Sequence, residues 1–352
     1  MKYLIIIALL TMSVTYSQNN VNKNAEVDSV LAPYDSAGSP GAAVMIIHKG
    51  KVLYEKGYGM ADRENSIPVT VSTNFRLASV TKEFTATAIM LLVQRGKLSF
   101  DDNLTSIFPG FPEYGKKIKI ENLLNHTSGL IAYEDLIPDT ATIQVHDKDV
   151  LNMMMHQDST YFEPGTQYRY SNTGYAVLAM TVEKISGESF AEFLKKNIFD
   201  PLHMDNSVAY EKGISEVKNR AYGYSLEDGK WVRTDQSLTS AVLGDGGIYT
   251  SVTDMYKWDQ NLYTEKILPR KYIEKSFTRG TLLNGEKIDY GYGWHLKTYK
   301  DKEVVYHTGS TIGFRNVIYR IPSEHFTVIL LSNRDGGDTE RIAERIADFY
   351  LK

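Results

Sequence analysis

The chain has 352 residues, 42% of them apolar and 23% charged. That is enough for one large domain or two ordinary ones with a substantial core. The formal net charge of −4 and the absence of any Lys/Arg block give no footprint for nucleic acid or an anionic membrane surface. No cysteine is present, which excludes disulfides, a thiol nucleophile and thiolate metal sites.

At the N-terminus, Lys2 precedes an apolar run from Tyr3 to Leu10. Thr15 and Ser17 then stand at the −3 and −1 positions of a cut before Gln18. This pattern predicts a secretory signal peptide over 1–17 and export to the periplasm or medium. The competing reading is a buried N-terminal strand, but Gln18 to Asn24 is polar and suits a freed end. The run is too short to span a bilayer, so no transmembrane helix is expected in the mature chain, 18–352.

Apolar positions at Val27, Val30, Leu31 and Tyr34 predict a helix over 26–38 that stops at Gly38. Ala42 to Ile47 reads as a strand, Lys49-Gly50-Lys51 as a hairpin turn and Val52 to Tyr58 as the return strand. A long helix is expected from Ser79 to Gln94, with Gly96 just beyond it. From about 115 to 275 the pattern is mostly helical, clearest at Val150–His156, Ala176–Ser186 and Ser189–Ile198. Strand periodicity returns at Tyr290–Thr298, Glu303–His307, Asn316–Ile321 and Phe326–Ser332, before a closing helix from Thr339 to Tyr350. Strands at both ends with helices between predict an α/β (α+β) fold. One antiparallel sheet is built from the two chain ends, flanked by helices, with a mostly helical second lobe. Ligand clefts favour such lobe boundaries.

Three short segments carry candidate chemistry. In Ser79-Val80-Thr81-Lys82, positions i and i+3 share one helix face, so the lysine lies within reach of the serine. A serine hydroxyl needs a base, and lysine serves only when neutral. The residues after Lys82 are apolar almost all round, which predicts a buried helix and a lysine that is costly without a role. The same spacing at Ser215–Lys218 has no such helix behind it and reads as a solvated loop. The second segment is Tyr170-Ser171-Asn172: a tyrosine beside a lysine can relay its proton, and an asparagine amide can position a carbonyl. The third, His307-Thr308-Gly309-Ser310, follows a strand-like run, and Gly309 permits close approach of a substrate backbone. The backbone N–H groups of Ser310 and Ser79 can pair as an oxyanion hole. The bland readings are, in turn, an N-cap serine with a snorkelling lysine, a helix-entry loop, and a strand followed by a glycine turn.

Taken in order, Ser79/Lys82, Tyr170/Asn172 and His307/Thr308/Gly309 resemble the Ser-x-x-Lys, Tyr-x-Asn and His-Thr-Gly signature of the serine β-lactamase and penicillin-binding-protein superfamily, nearest its class C-like branch. The segments Leu123–Leu130, Gly244–Tyr249 and Tyr292–Trp294 are similar to that branch too. The resemblance covers roughly residues 26 to 350. It implies a β-lactamase/transpeptidase-like fold and an acyl-enzyme on Ser79. Lys82 and Tyr170 would be the general-base pair, with Tyr170 reprotonating the leaving group. Asn172 would orient the acyl side chain, and His307 and Thr308 would line the substrate strand. The Ser79 and Ser310 N–H groups would hold the oxyanion. One departure matters: where class C β-lactamases carry Lys-Thr-Gly, this chain has His307, whose charge at neutral pH is only partial. That form resembles DD-peptidases, D-amino-acid peptidases and esterase-like members.

The expected activity is therefore that of a DD-carboxypeptidase or D-amino-acid peptidase-like hydrolase. An esterase or class C-like β-lactamase and a non-catalytic penicillin-binding-like sensor are the alternatives. The substrate would be a D-amino-acid peptide, a β-lactam or an ester, with no cofactor. The histidines form neither His-x-His nor His-Glu-x-x-His, so no metal is expected. The chain has no Gly-x-Ser-x-Gly elbow. His126 reads as a structural histidine.

Overall fold

The computed structural model describes residues 23–351; the expected signal peptide, 1–17, lies outside them. Helix α1 (23–31) runs into a 3-10 turn at Ala32–Tyr34. Strands β1 (Ala42–His48) and β2 (Lys51–Tyr58) form a hairpin. Helix α2 (Lys82–Gln94) follows, and α3 (Asn172–Ser186) forms the spine of the second lobe. The C-terminal part supplies β3 (His295–Tyr299), β4 (Lys302–Thr311), β5 (Phe314–Ile321), β6 (Phe326–Ser332) and helix α4 (Thr339–Tyr350).

The main sheet runs β3-β4-β5-β6-β1-β2 and is antiparallel throughout. β6 pairs with β1 from Ala42↔Ser332 to His48↔Phe326, so the two chain ends are neighbours in the sheet. Both faces of β1 are covered, which explains its unbroken apolar run. Val44 and Ile46 pack with Val27 and Leu31 of α1 and Ala343 and Ile346 of α4. Met45 and Ile47 point the other way, into the core shared with α2. Every residue of α2 from Lys82 to Leu92 is buried.

Three details depart from expectation. The first turn of the predicted Ser79 helix is a 3-10 turn, Ala78–Thr81, and the α-helix begins at Lys82. The strand predicted from Tyr290 begins at His295 instead, because Gly291–Trp294 makes a tight turn closed by a Gly291 N–H to Trp294 carbonyl bond of 2.8 Å. Gly293 in that turn has φ +79° and packs on the Lys82 carbonyl, where an added Cβ would approach to 2.7 Å. The middle stretch is less helical than its pattern suggests. It contains the hairpin Tyr224–Glu227/Lys230–Arg233 and a three-stranded sheet in which Ile248–Thr250 pairs with Phe75–Arg76 on one side and Val208–Ala209 on the other. Among the described residues no helix is long and apolar enough to cross a membrane.

Candidate active site

Ser79 sits on a strained and firmly anchored turn. Ala78 before it has φ +51°, a left-handed conformation that costs a non-glycine residue about 1 kcal/mol or more. Such strain persists only where the surroundings over-determine the backbone. Here Leu77 N–H donates to the Ile248 carbonyl at 2.8 Å. Asn316 of β5 donates to the Arg76 and Leu77 carbonyls at 2.9 and 3.1 Å. Strand β4 presses against the same backbone, and a Cβ added at Gly309 would lie 2.0 Å from the Leu77 carbonyl oxygen. Only glycine lets the strand come this close.

Lys82, one turn along, is 0% exposed. Its Nζ donates to Ser79 Oγ at 3.1 Å, Asn172 Oδ1 at 2.9 Å and the Asp245 carbonyl at 2.8 Å. Those bonds use all three ammonium donors. Burial pushes the Lys82 pKa down to about 8 against the opposing pull of the Asp245 and Glu134 carboxylates. Tyr170 lies beside the pair, with Nζ 5.0 Å from its ring centroid. Burial raises the Tyr170 pKa above that of free tyrosine, with the neighbouring Ser79 hydroxyl pulling it back. The phenol therefore rests with its proton on. Asn172 is the first residue of α3, whose N-cap Ser171 accepts from the Gly174 N–H at 3.1 Å. Its amide Nδ2 donates to Glu134 Oε1 at 2.7 Å.

The third motif sits differently from its sequence reading. β4 continues to Thr311, so His307 to Ser310 lie within the strand and not at its end. The His307 ring faces inward and is 1% exposed. Its Nε2 lies 3.0 Å from the Tyr290 hydroxyl and its Nδ1 2.6 Å from the Thr308 carbonyl. A carbonyl can only accept, so Nδ1 carries the proton and Nε2 accepts from Tyr290. Burial, followed by the fields of His295 and Lys82, drives its pKa well below the usual value. His307 is thus a neutral residue behind the cleft, and the partial positive charge expected beside the substrate is not there. Thr308 is half-buried, while Ser310 is exposed and lines the cleft with Thr311.

A polar cavity of about 100 Å³ opens over Ser79, between Asn172 and Glu134 of the helical lobe and Ser310 and Thr311 of the sheet. A larger cavity of about 640 Å³, between Lys117, Glu163, Lys275 and Arg279, contains none of the motif residues. Sequence reading missed Glu134, Tyr133, Arg76 and Asn316. It noted Asp245 only as part of a similar segment. Asp245 is buried and accepts from the Tyr133 hydroxyl at 3.1 Å. Burial raises its pKa to about 6, with Lys82 opposing. His126 is buried with φ +61°. Its Nδ1 accepts the Ser171 N–H at 3.1 Å, and its ring lies 4.3 Å from that of Tyr170. Ser215 of the second Ser-x-x-Lys accepts from the Glu211 N–H at 2.9 Å in a loop away from the cleft.

A serine hydroxyl hydrogen-bonded to a buried lysine, at the boundary of an antiparallel sheet and a helical lobe, defines a serine hydrolase of β-lactamase/transpeptidase-like fold. Residues 27–351 match the Beta-lactamase family model, and the chain belongs to that family. It is 33% identical over 335 residues to a penicillin-binding protein of Bacillus subtilis (strain 168), covering 91% of this chain and 73% of the relative. Among solved structures it is similar to the octameric penicillin-binding protein homologue from Pyrococcus abyssi. That match has a TM-score of 0.80 and 29% identity, covering 93% of this chain and 76% of the other. The penicillin-binding protein from Bacillus halodurans gives a TM-score of 0.78 with 28% identity, covering 92% and 97% of the two chains. The protein is an enzyme of the serine-hydrolase type.

Proposed function

We propose that the protein is an exported peptidase that forms an acyl-enzyme on Ser79 and cleaves D-amino-acid peptides, as a DD-carboxypeptidase or D-amino-acid peptidase-like hydrolase. One observation carries this reading: Lys82 Nζ, fully buried, lies 3.1 Å from Ser79 Oγ. Burial brings the neutral amine within reach of ordinary pH, which is what a lysine base requires.

In this mechanism the Ser79 hydroxyl gives its proton to neutral Lys82 as Oγ bonds to the substrate carbonyl carbon. The Ser79 and Ser310 N–H groups hold the resulting oxyanion. The C–N bond then breaks, and the leaving amine takes its proton from Tyr170, which is resupplied by Lys82. Water attacks the ester by the same route in reverse, releasing the acid and restoring Ser79. The protonated resting state of Tyr170 supports its role as the donor. Asn172, fixed by Lys82 on one edge and Glu134 on the other, supports a role in orienting the acyl group. The neutrality of His307 argues against efficient β-lactam turnover. Export rests on the N-terminal pattern and is tested by the N-terminal sequence of the protein recovered outside the cytoplasm.

The deciding experiment is the intact mass of the protein after incubation with a penicillin, followed by peptide mapping. A stable adduct on Ser79, absent in Ser79→Ala, is the expected result. Rapid loss of penicillin without an adduct assigns a β-lactamase, and unchanged penicillin shifts the reading to an esterase or a D-aminopeptidase. Wild-type turnover by Ser79→Ala overturns the mechanism.

A further inference from the structure

The cavity over Ser79 offers a carboxylate that uses one oxygen on Asn172, and the cationic side chain in its described lining is already paired. Glu134 lies on the 3-10 turn Tyr133–Leu136 and lines the cavity with Ser79 and Asn172. Its Oε1 accepts the Asn172 amide at 2.7 Å, and Asn172 Oδ1 in turn accepts from Lys82. The carboxylate is thus two hydrogen bonds from the lysine that touches Ser79, and it is only half-buried.

The cations nearest Ser79 are already committed, and Arg315 at the cavity edge donates to the Thr311 carbonyl and pairs with Asp335. Arg76, the only cationic side chain among the described lining residues, is 3% exposed. Its guanidinium donates to the Ser240 hydroxyl, the Ser240 carbonyl and the Gly246 carbonyl. The three donors of Lys82 are used within the site. The other carboxylate, Asp245, is buried and receives the Tyr133 hydroxyl. A carboxylate on the acyl residue meets Glu134 and no unpaired cationic side chain among the described lining residues. A substrate ammonium meets an acceptor that already faces the cavity.

We propose that Glu134 is the specificity-determining residue of the cleft and receives the α-ammonium of the acyl residue, so that the preferred substrates are amides and short peptides with a free amino terminus. The inference rests on the acyl-enzyme reading and narrows it to the aminopeptidase direction. It also couples binding to chemistry. An ammonium on Glu134 offsets one of the two negative fields that keep Lys82 protonated, so the right substrate helps to generate its own base.

The test compares D-alanine p-nitroanilide with its N-acetyl form, in the wild type and in Glu134→Gln, which keeps an oxygen for the Asn172 amide. The readout is the ratio of the two kcat/KM values, so a general loss from a displaced Asn172 cancels. The wild type prefers the free amine, and Glu134→Gln reduces that preference roughly 10- to 100-fold, the range for a hydrogen bond to a charged group. The wild-type preference also fades as pH rises through about 8, where an α-amino group loses its proton. A ratio unmoved in Glu134→Gln, or equal or absent turnover of both compounds by the wild type, overturns the proposal. Ser79→Ala separates the two levels. If it retains turnover, the acyl-enzyme reading fails; if it is inactive and the ratio is still unmoved by Glu134→Gln, only the role of Glu134 fails.

Discussion

Replacing Asp245 by Asn should make the enzyme faster at neutral pH. Lys82 has a pKa of about 8, set by burial and held up by the carboxylates of Asp245 and Glu134. At pH 7 roughly one lysine in ten is then neutral. A carboxylate stabilises the ammonium, so removing its charge lowers the pKa and moves the base limb to lower pH. A downward shift of about one unit, the low end for a close charge partner, raises the neutral fraction at pH 7 to roughly one half. Acylation should rise about fivefold there, while the high-pH plateau stays where it was. Asn keeps an oxygen for the Tyr133 hydroxyl, so the substitution is mild sterically. The assay is the pre-steady-state burst of p-nitrophenol from p-nitrophenyl acetate between pH 5.5 and 9.5, read at the isosbestic wavelength. An upward shift of the limb, or a lower plateau with the limb unmoved, would refute the assignment of Lys82 as the base.

Two further predictions concern the scaffold. Gly309→Ala places a Cβ against the Leu77 carbonyl and must push β4 away from the Ser79 turn. Acylation should fall about 100-fold, as expected for a displacement near 1 Å, and unchanged acylation would show that this contact does not set the site. Asp259→Asn removes the charge facing Arg320 across a 2.7 Å pair in which neither side chain is more than 1% exposed. Urea unfolding should show a loss of about 3–5 kcal/mol, a good part of it recovered in the Asp259→Asn/Arg320→Met double variant; a loss below about 1 kcal/mol would contradict the argument.

Much of the sheet was readable because its strands are buried on both faces and bounded by turn residues, as in Phe326–Ser332 and Ala42–His48. The helix after Ser79 was readable for the same reason: an apolar stretch from Phe84 to Leu92 has no solvent face to interrupt it. What failed was local. Tyr290 and Tyr292 have the composition of a strand, but the turn that docks Gly293 on α2 is decided by a contact across the fold. Likewise Val208–Ala209 and Ile248–Thr250 are too short for a period to declare itself.

In the site, the close pair Ser79 and Lys82 was legible because one helical turn joins them. Glu134 was not, because its partner Asn172 lies 38 positions away and nothing around Tyr133–Leu136 distinguishes that turn from a surface loop. Asn316 looks like a strand asparagine until its bonds to the Arg76 and Leu77 carbonyls are seen. The burial of His307 follows from strand alternation with Val305, but its neutral tautomer follows only from Tyr290 and the Thr308 carbonyl.

The pairing of β6 with β1 has a consequence for the order of events during synthesis. When the ribosome has finished α3, the growing chain already contains Ser79, Lys82, Tyr170 and Asn172. It still lacks Asn316, which pins the Ser79 turn, and Gly309, which fits against it. Strand β6, which flanks β1 on one side in the sheet, emerges long after it, and contacts of such long sequence separation close slowly. A chain that stops short of β4 and β5 therefore holds the proposed nucleophile and base without the residues that frame them, and on the proposed mechanism hydrolysis waits for those strands to dock on the Ser79 turn.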